Sequence, residues 1–151
     1  MNNQENTLKQ LQRYYTLWKD CTAVYEEWAK TQGLSSNSVL VLYSFYCDEE
    51  FCTQKSISQK WCIPKQTVNT ILKDFQKKGY VEMAAMQKDK RNKLLKLTDS
   101  GKKLADEVIG KLRQKETCVM ETMGLENMIC LNDNLEQFIA LFRKGSEEHY
   151  E

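Results

Sequence analysis

Several things are scarce in this sequence. Its 151 residues include one proline, six glycines and a single histidine. So little proline, beside abundant Leu, Lys, Glu and Gln, excludes an all-β barrel or a disordered chain and points to a mainly helical protein. No apolar run approaches the roughly 18 residues of a membrane span. The opening Met1-Asn2-Asn3-Gln4-Glu5-Asn6 lacks the basic and then apolar layout of a signal peptide. The expected address is therefore a reducing cytoplasm, with no membrane partner and with the six cysteines as free thiols. A chain of this length buries roughly 68–70% of its unfolded surface, so no disulfide framework is needed. Catalytic signatures are missing too. Cys21, Cys47, Cys52, Cys62, Cys118 and Cys130 form no C-x-x-C pair, and the one histidine, His149, lies at the extreme end. Structural zinc and Cys/His catalysis are left without ligands. There is no phosphate-binding loop, dinucleotide fingerprint or nucleophile elbow. No enzyme, metal or cofactor is expected.

Charge is present but conceals itself. Lys plus Arg is 22 and Asp plus Glu is 21, a net charge of +1. From Thr53 to Lys103 there are thirteen basic and four acidic residues, or +9, which leaves −8 on the two flanks. A basic centre between acidic ends is the asymmetry expected of a nucleic-acid partner, although a solvated helical face explains most lysine runs.

The apolar spacing resolves the chain into elements. Leu8, Leu11, Tyr15, Trp18, Thr22, Tyr25 and Ala29 recur at alternating threes and fours, so residues 7–30 form a long amphipathic helix that ends at Gly33. A second helix, through Val39 to Tyr46, is apolar nearly all round and belongs in the core. Asp48-Glu49-Glu50 closes it. Thr53 caps a short third helix, and Pro64 opens a fourth. In that fourth helix Val68, Ile71, Leu72 and Phe75 face inward, and Gly79 supplies the left-handed stop. The period then changes to two short strands, Tyr80 to Met86 and Lys93 to Leu97, around a polar tip. Thr98-Asp99 caps a fifth helix to about Met123. After Gly124 a sixth carries Leu131, Leu135, Phe138, Ile139 and Phe142 on one side.

Short helix, tight turn, amphipathic helix and basic hairpin are the order of a winged helix-turn-helix, whose second helix enters the major groove of DNA. The side chains suit that task. Gln66 and Asn69 carry amides that match adenine, Thr67 and Thr70 can touch a thymine methyl, and Lys65 can reach guanine or phosphate. Lys73 and Lys77 lie further along and suit phosphates, as do the wing residues Lys88, Lys90 and Lys93. Arg91 is placed for a narrow minor groove, with Asp89 to orient its guanidinium. The narrow seams of the end helices suit a bundle shared between two chains.

The run Ile57-Ser58-Gln59-Lys60-Trp61-Cys62-Ile63-Pro64-Lys65-Gln66-Thr67-Val68, then Lys77-Lys78-Gly79-Tyr80-Val81, Asp89-Lys90-Arg91 and Leu97-Thr98-Asp99-Ser100-Gly101, resembles the MarR family of bacterial regulators. The Asp-x-Arg wing followed by Leu-Thr-x-x-Gly is its most specific part, and the likeness spans essentially the whole chain. It implies a winged helix-turn-helix flanked by a helical dimerisation bundle. Residues 35-103 would be the DNA-binding lobe and residues 1-34 and 104-151 the bundle, within one domain, 1-151. It also implies a homodimer on double-stranded DNA, a pseudo-palindromic operator, repression, and release by a small ligand or thiol oxidation. An effector pocket between bundle and lobe is implied in the same way. Tyr14, Trp18, Tyr25 and Tyr43 are its candidates, for a small aromatic or phenolic compound, although aromatic stripes at helical spacing more often pack a core. Many members have glycine where Cys62 stands and arginine where Thr70 stands. The second departure shifts the expected operator toward A·T-rich sequence. Cys62, beside a helix start, is the candidate for a redox-sensing alternative, in which this or another cysteine carries the signal. A winged helix used only for protein contacts is the other alternative, and it would not require a basic, amide-rich fourth helix.

Overall fold

The computed structural model describes residues 3–47, 51–84 and 93–148. Among these the order is α1 (Asn3–Thr31), α2 (Ser36–Cys47), α3 (Gln54–Trp61), α4 (Lys65–Lys77), β1 (Val81–Met83), β2 (Leu95–Leu97), α5 (Asp99–Met123) and α6 (Leu125–Glu148). The mainly helical reading with one small hairpin holds. The chain divides into two compact units, Met1–Ile109 and Gly110–Glu151. No described helix is long and apolar enough to cross a membrane.

The first unit is built round α2. Val39, Val41, Leu42 and Phe45 are buried on it, as its nearly continuous apolar sequence requires. Helices α1, α3 and α4 all pack against it. Ser44 is a buried polar residue in this core. Its hydroxyl donates to the Leu40 carbonyl at 3.1 Å and accepts the Trp61 indole N–H at 2.7 Å, so neither group is stranded. Tyr43 meets the Trp61 ring edge-on at 5.7 Å.

The helix-turn-helix follows from local chemistry. The Thr53 hydroxyl accepts the backbone N–H of Ser56 at 3.0 Å, and the Ser56 hydroxyl in turn accepts the Thr53 N–H at 3.0 Å. This capping box starts α3 where the sequence places it. Pro64 differs slightly from expectation. With φ −54 and ψ 137 it stands just outside α4 as the cap residue, not within the first turn. Its carbonyl accepts the Val68 N–H at 3.1 Å and so begins the ladder. Val68, Leu72 and Phe75 are buried, and Ile71 is half-buried. The helix ends at Gly79, φ 74, where Gly79 N–H bonds to Gln76 O at 3.0 Å and Tyr80 N–H to Phe75 O at 2.9 Å. These two bonds form a Schellman stop.

The wing base is antiparallel, with Val81 opposite Leu97, Glu82 opposite Lys96 and Met83 opposite Leu95. Both strands are shorter than the sequence suggests. Tyr80 is excluded because its N–H is spent closing α4. Ala84 still donates to Leu94 O at 3.0 Å, whereas Ala85 and Met86, like Asp48-Glu49-Glu50, lie outside the described residues. A third backbone segment pairs here unannounced by any sequence period. Cys52 N–H donates to Leu95 O at 2.9 Å, and Leu95 N–H returns the bond to Cys52 O at 2.8 Å.

Thr98 joins the wing to α5. Its hydroxyl donates to Gly79 O at 2.6 Å and accepts the Gly101 N–H at 3.0 Å, while its own N–H reaches Tyr80 O at 3.0 Å. A Cβ on Gly101 would overlap the Tyr80 carbonyl. The Leu-Thr-x-x-Gly pattern is thus a steric requirement of bringing α5 down onto the end of α4. Ala105, Val108 and Ile109 continue α5 as buried residues.

In the second unit, α5 ends and α6 begins at Gly124, whose N–H bonds to Met120 O at 3.0 Å. Most of the apolar side chains on α6 are exposed, Leu125 by 75% and Phe142 by 71%. Helix α1, in the first unit, shows the same character, with Trp18 64% exposed.

Candidate nucleic-acid interface

The outward face of α4 gathers residues that the sequence singles out. Burial of Val68, Leu72 and Phe75 fixes the roll of the helix. Lys65, Gln66, Thr70, Lys73 and Lys77 are then exposed, with Thr67 and Asn69 half-buried at the margin. All seven expected α4 residues therefore lie on the surface of one helix, and the structure brings them together. The Thr70 hydroxyl donates to Gln66 O at 3.0 Å, so its hydrogen-bonding group is engaged along the helix and its methyl remains for apolar contact. The Gln54 amide donates to Lys65 O at 2.9 Å and ties the first turn of α4 to the start of α3.

Beside this face runs an open groove of about 590 Å3, walled by α3, α4 and the wing base. Lys55, Lys65, Lys73 and Lys93 line it with Asn69 and Gln76, and among the described residues no carboxylate lines it. Two acidic residues nearby in sequence have basic partners: Asp74 pairs with Lys78 at 2.7 Å and Glu82 with Lys96 at 3.2 Å. Four lysines lining one groove favour an anionic ligand there. Lys55 was not singled out from sequence. Its position one residue inside a capped helix next to α4 was the available signal.

Four expected wing residues, Lys88, Asp89, Lys90 and Arg91, lie outside the described residues. Lys93 is exposed at the wing base. Cys62 is exposed and closes α3 in the left-handed region, φ 52 and ψ 33, with Ile63 N–H reaching Ser58 O at 3.2 Å. It stands at the C-terminal end of α3, three residues before α4, so the helix end it caps is the negative one. Cys21, Cys118 and Cys130 are exposed and Cys52 is buried. Among the described residues, no group of three or more His, Cys, Asp or Glu could hold a metal ion. Tyr14, Trp18 and Tyr25 lie along one exposed side of α1, while Tyr43 is half-buried on α2 against Trp61. They do not line the basic groove, nor a second cavity of about 430 Å3 behind the wing base at Phe45, Lys96 and Lys102.

Known proteins share this fold. The sequence profile of the MarR family matches residues 32–92, which contain α2 to β1. The structure of NMB1585, a MarR family regulator from Neisseria meningitidis, is 30% identical in sequence and superposes with a TM-score of 0.75. That match covers 98% of this chain and 99% of the other. The chain belongs to the MarR family. Members are DNA-binding transcriptional regulators without enzymatic activity. The HTH-type transcriptional regulator FarR of Neisseria gonorrhoeae is 29% identical over 87 residues, 58% of this chain and 60% of FarR. The HTH-type transcriptional regulator SarZ of Staphylococcus haemolyticus is 30% identical over 87 residues, 58% of each chain. The matched stretch thus spans less than two thirds of these curated relatives. In this MarR-family regulator α4 is the second helix of the helix-turn-helix.

Proposed function

We propose that this protein represses transcription by binding a pseudo-palindromic operator as a homodimer, from the cytoplasm. The observation that carries the reading is the face of α4: amides at Gln66 and Asn69, threonines at 67 and 70, and lysines at both ends. Side-chain amides read adenine and threonine methyls touch thymine, while the lysines neutralise phosphate. The mechanism is steric, with no chemistry on the DNA. Residues 35-103 form the reading lobe, and residues 1-34 and 104-151 supply the contacts to a second copy. Exposed apolar side chains along α1 and α6 support that assignment, because contiguous apolar surface on a soluble chain marks an interface. Two copies would set two recognition helices about 34–36 Å apart, one turn of the duplex.

The wing residues Lys88, Lys90 and Arg91 would follow the minor groove, with Asp89 steadying Arg91. Release would come from a small aromatic or phenolic effector held by Tyr14, Trp18, Tyr25 and Tyr43, acting through its different affinity for the two states of the dimer. Binding to duplex DNA across a salt titration tests the reading. Affinity is expected to fall steeply, with a slope of roughly −0.9 for each phosphate contacted. Binding that is absent, or indifferent to salt, overturns it.

A further inference from the structure

The corner between α1 and α2 is fastened three times within a few residues. Gly33 N–H bonds to Lys30 O at 3.0 Å and Leu34 N–H to Ala29 O at 3.1 Å, which closes α1. The Ser35 hydroxyl accepts the Ser38 N–H at 3.1 Å and caps α2. The third fastening joins one helix to the other. Glu26, half-buried on α1, reaches across the turn, and its Oε2 accepts the Ser36 N–H at 3.0 Å. Hydrogen bonds from the Ser36 side chain and backbone, with Lys30 one turn along, hold this carboxyl below its ordinary value of 4.5. It is therefore a full carboxylate near neutral pH, set on the positive end of α2. The first two fastenings each serve a single helix. The Glu26 bond alone of the three spans the corner and so bears on the angle between α1 and α2.

That angle matters because of what lies at each end. Helix α2 is the element on which α3 and α4 pack, so it moves with the reading face. Helix α1 runs from Glu26 back to Asn3, a lever of roughly 35 Å at 1.5 Å per residue. A rotation of about ten degrees at the corner displaces its far end by about 6 Å, nearly two base-pair steps at ~3.4 Å each. We propose that Glu26 is a positioning residue that fixes the angle between α1 and α2, and through it the separation of the two recognition helices in the dimer. The inference rests on the homodimer reading given above. Glu26 touches no DNA in this scheme. It determines which spacing of half-sites the dimer accepts.

The full-length protein tests this on duplexes selected by the wild type from random sequence, rebuilt with the half-sites moved by one and two base pairs and also as a single half-site. Glu26→Ala is expected to lose about tenfold affinity for the preferred spacing and to flatten the spacing dependence, with single half-site affinity unchanged. Ser36→Pro removes the donor yet suits the first position of a helix, so it should reproduce the Glu26→Ala result with the fold kept. The double variant should be no worse than either single one, the mark of a shared interaction. Glu26→Gln keeps an acceptor oxygen and is expected to restore most of the spacing preference. An unchanged spacing profile in Glu26→Ala overturns the inference alone, as does an equal loss on single and paired half-sites. A wild type with no spacing preference overturns the homodimer reading and the inference with it.

Discussion

A methyl group at position 101 would meet the carbonyl of Tyr80, which is backbone and already accepts the Thr98 N–H. Nothing flexible can yield there. Gly101→Ala is expected to destabilise the protein by roughly 2–4 kcal/mol in denaturant unfolding, through overpacking at a point where α5 cannot retreat. Cys62 presents the opposite case, a side chain where the backbone asks for none. At φ 52 a residue with a Cβ carries a strain of about 1–2 kcal/mol, part of which glycine gives back through its greater freedom in the unfolded chain. Cys62→Gly is therefore expected to raise stability by about 0.5–1 kcal/mol in the same measurement. The sequence pattern shows that Thr98 and Gly101 matter together, since their spacing is that of a cap and its third residue. It cannot show why glycine is required, because the Tyr80 carbonyl comes from another element. Likewise a lone Cys62 gives no hint of its left-handed backbone beyond the glycine that many relatives carry there.

The elements were legible in proportion to their periodicity. Helices α1, α2, α4 and α6 declare themselves by apolar spacing, and α3 and α5 by their caps. Strand pairing was harder. Three residues per strand hold barely one full alternation, and the pairing of Cys52 with Leu95 involves a single residue that no period can mark. The outward face of α4 was readable because its inward face is unambiguous, whereas the groove beside it was not, since Lys55 and Lys93 join it only through tertiary packing. On the proposed reading, its function divides along the helix. Lys73→Gln is expected to weaken binding to all duplexes alike and to reduce the salt slope by about 1. Gln66→Ala should leave the slope unchanged and cost about 1–3 kcal/mol of discrimination at one position of the operator. Competition binding at several salt concentrations separates the two. If both variants change only the slope, α4 lies along the backbone and does not read bases.

A net charge of +1 describes the whole molecule poorly, because +9 is gathered over the reading head and −8 over the flanks. On the proposed reading, this distribution would let a nearly neutral protein offer a basic surface to DNA while acidic segments discourage other orientations. Apolar side chains exposed along α1 and α6 belong to the same scale, since a single chain leaves them in water and a second copy would cover them. The central claim joins these features: two copies read DNA through the outward face of α4. Selection of binding sites from random duplex DNA by the purified protein tests it most directly. The expected product is an A·T-rich inverted repeat whose half-sites are centred about one helical turn, 10–10.5 base pairs, apart. A library that stays random after selection, or yields a single unrepeated G·C-rich motif, would contradict it.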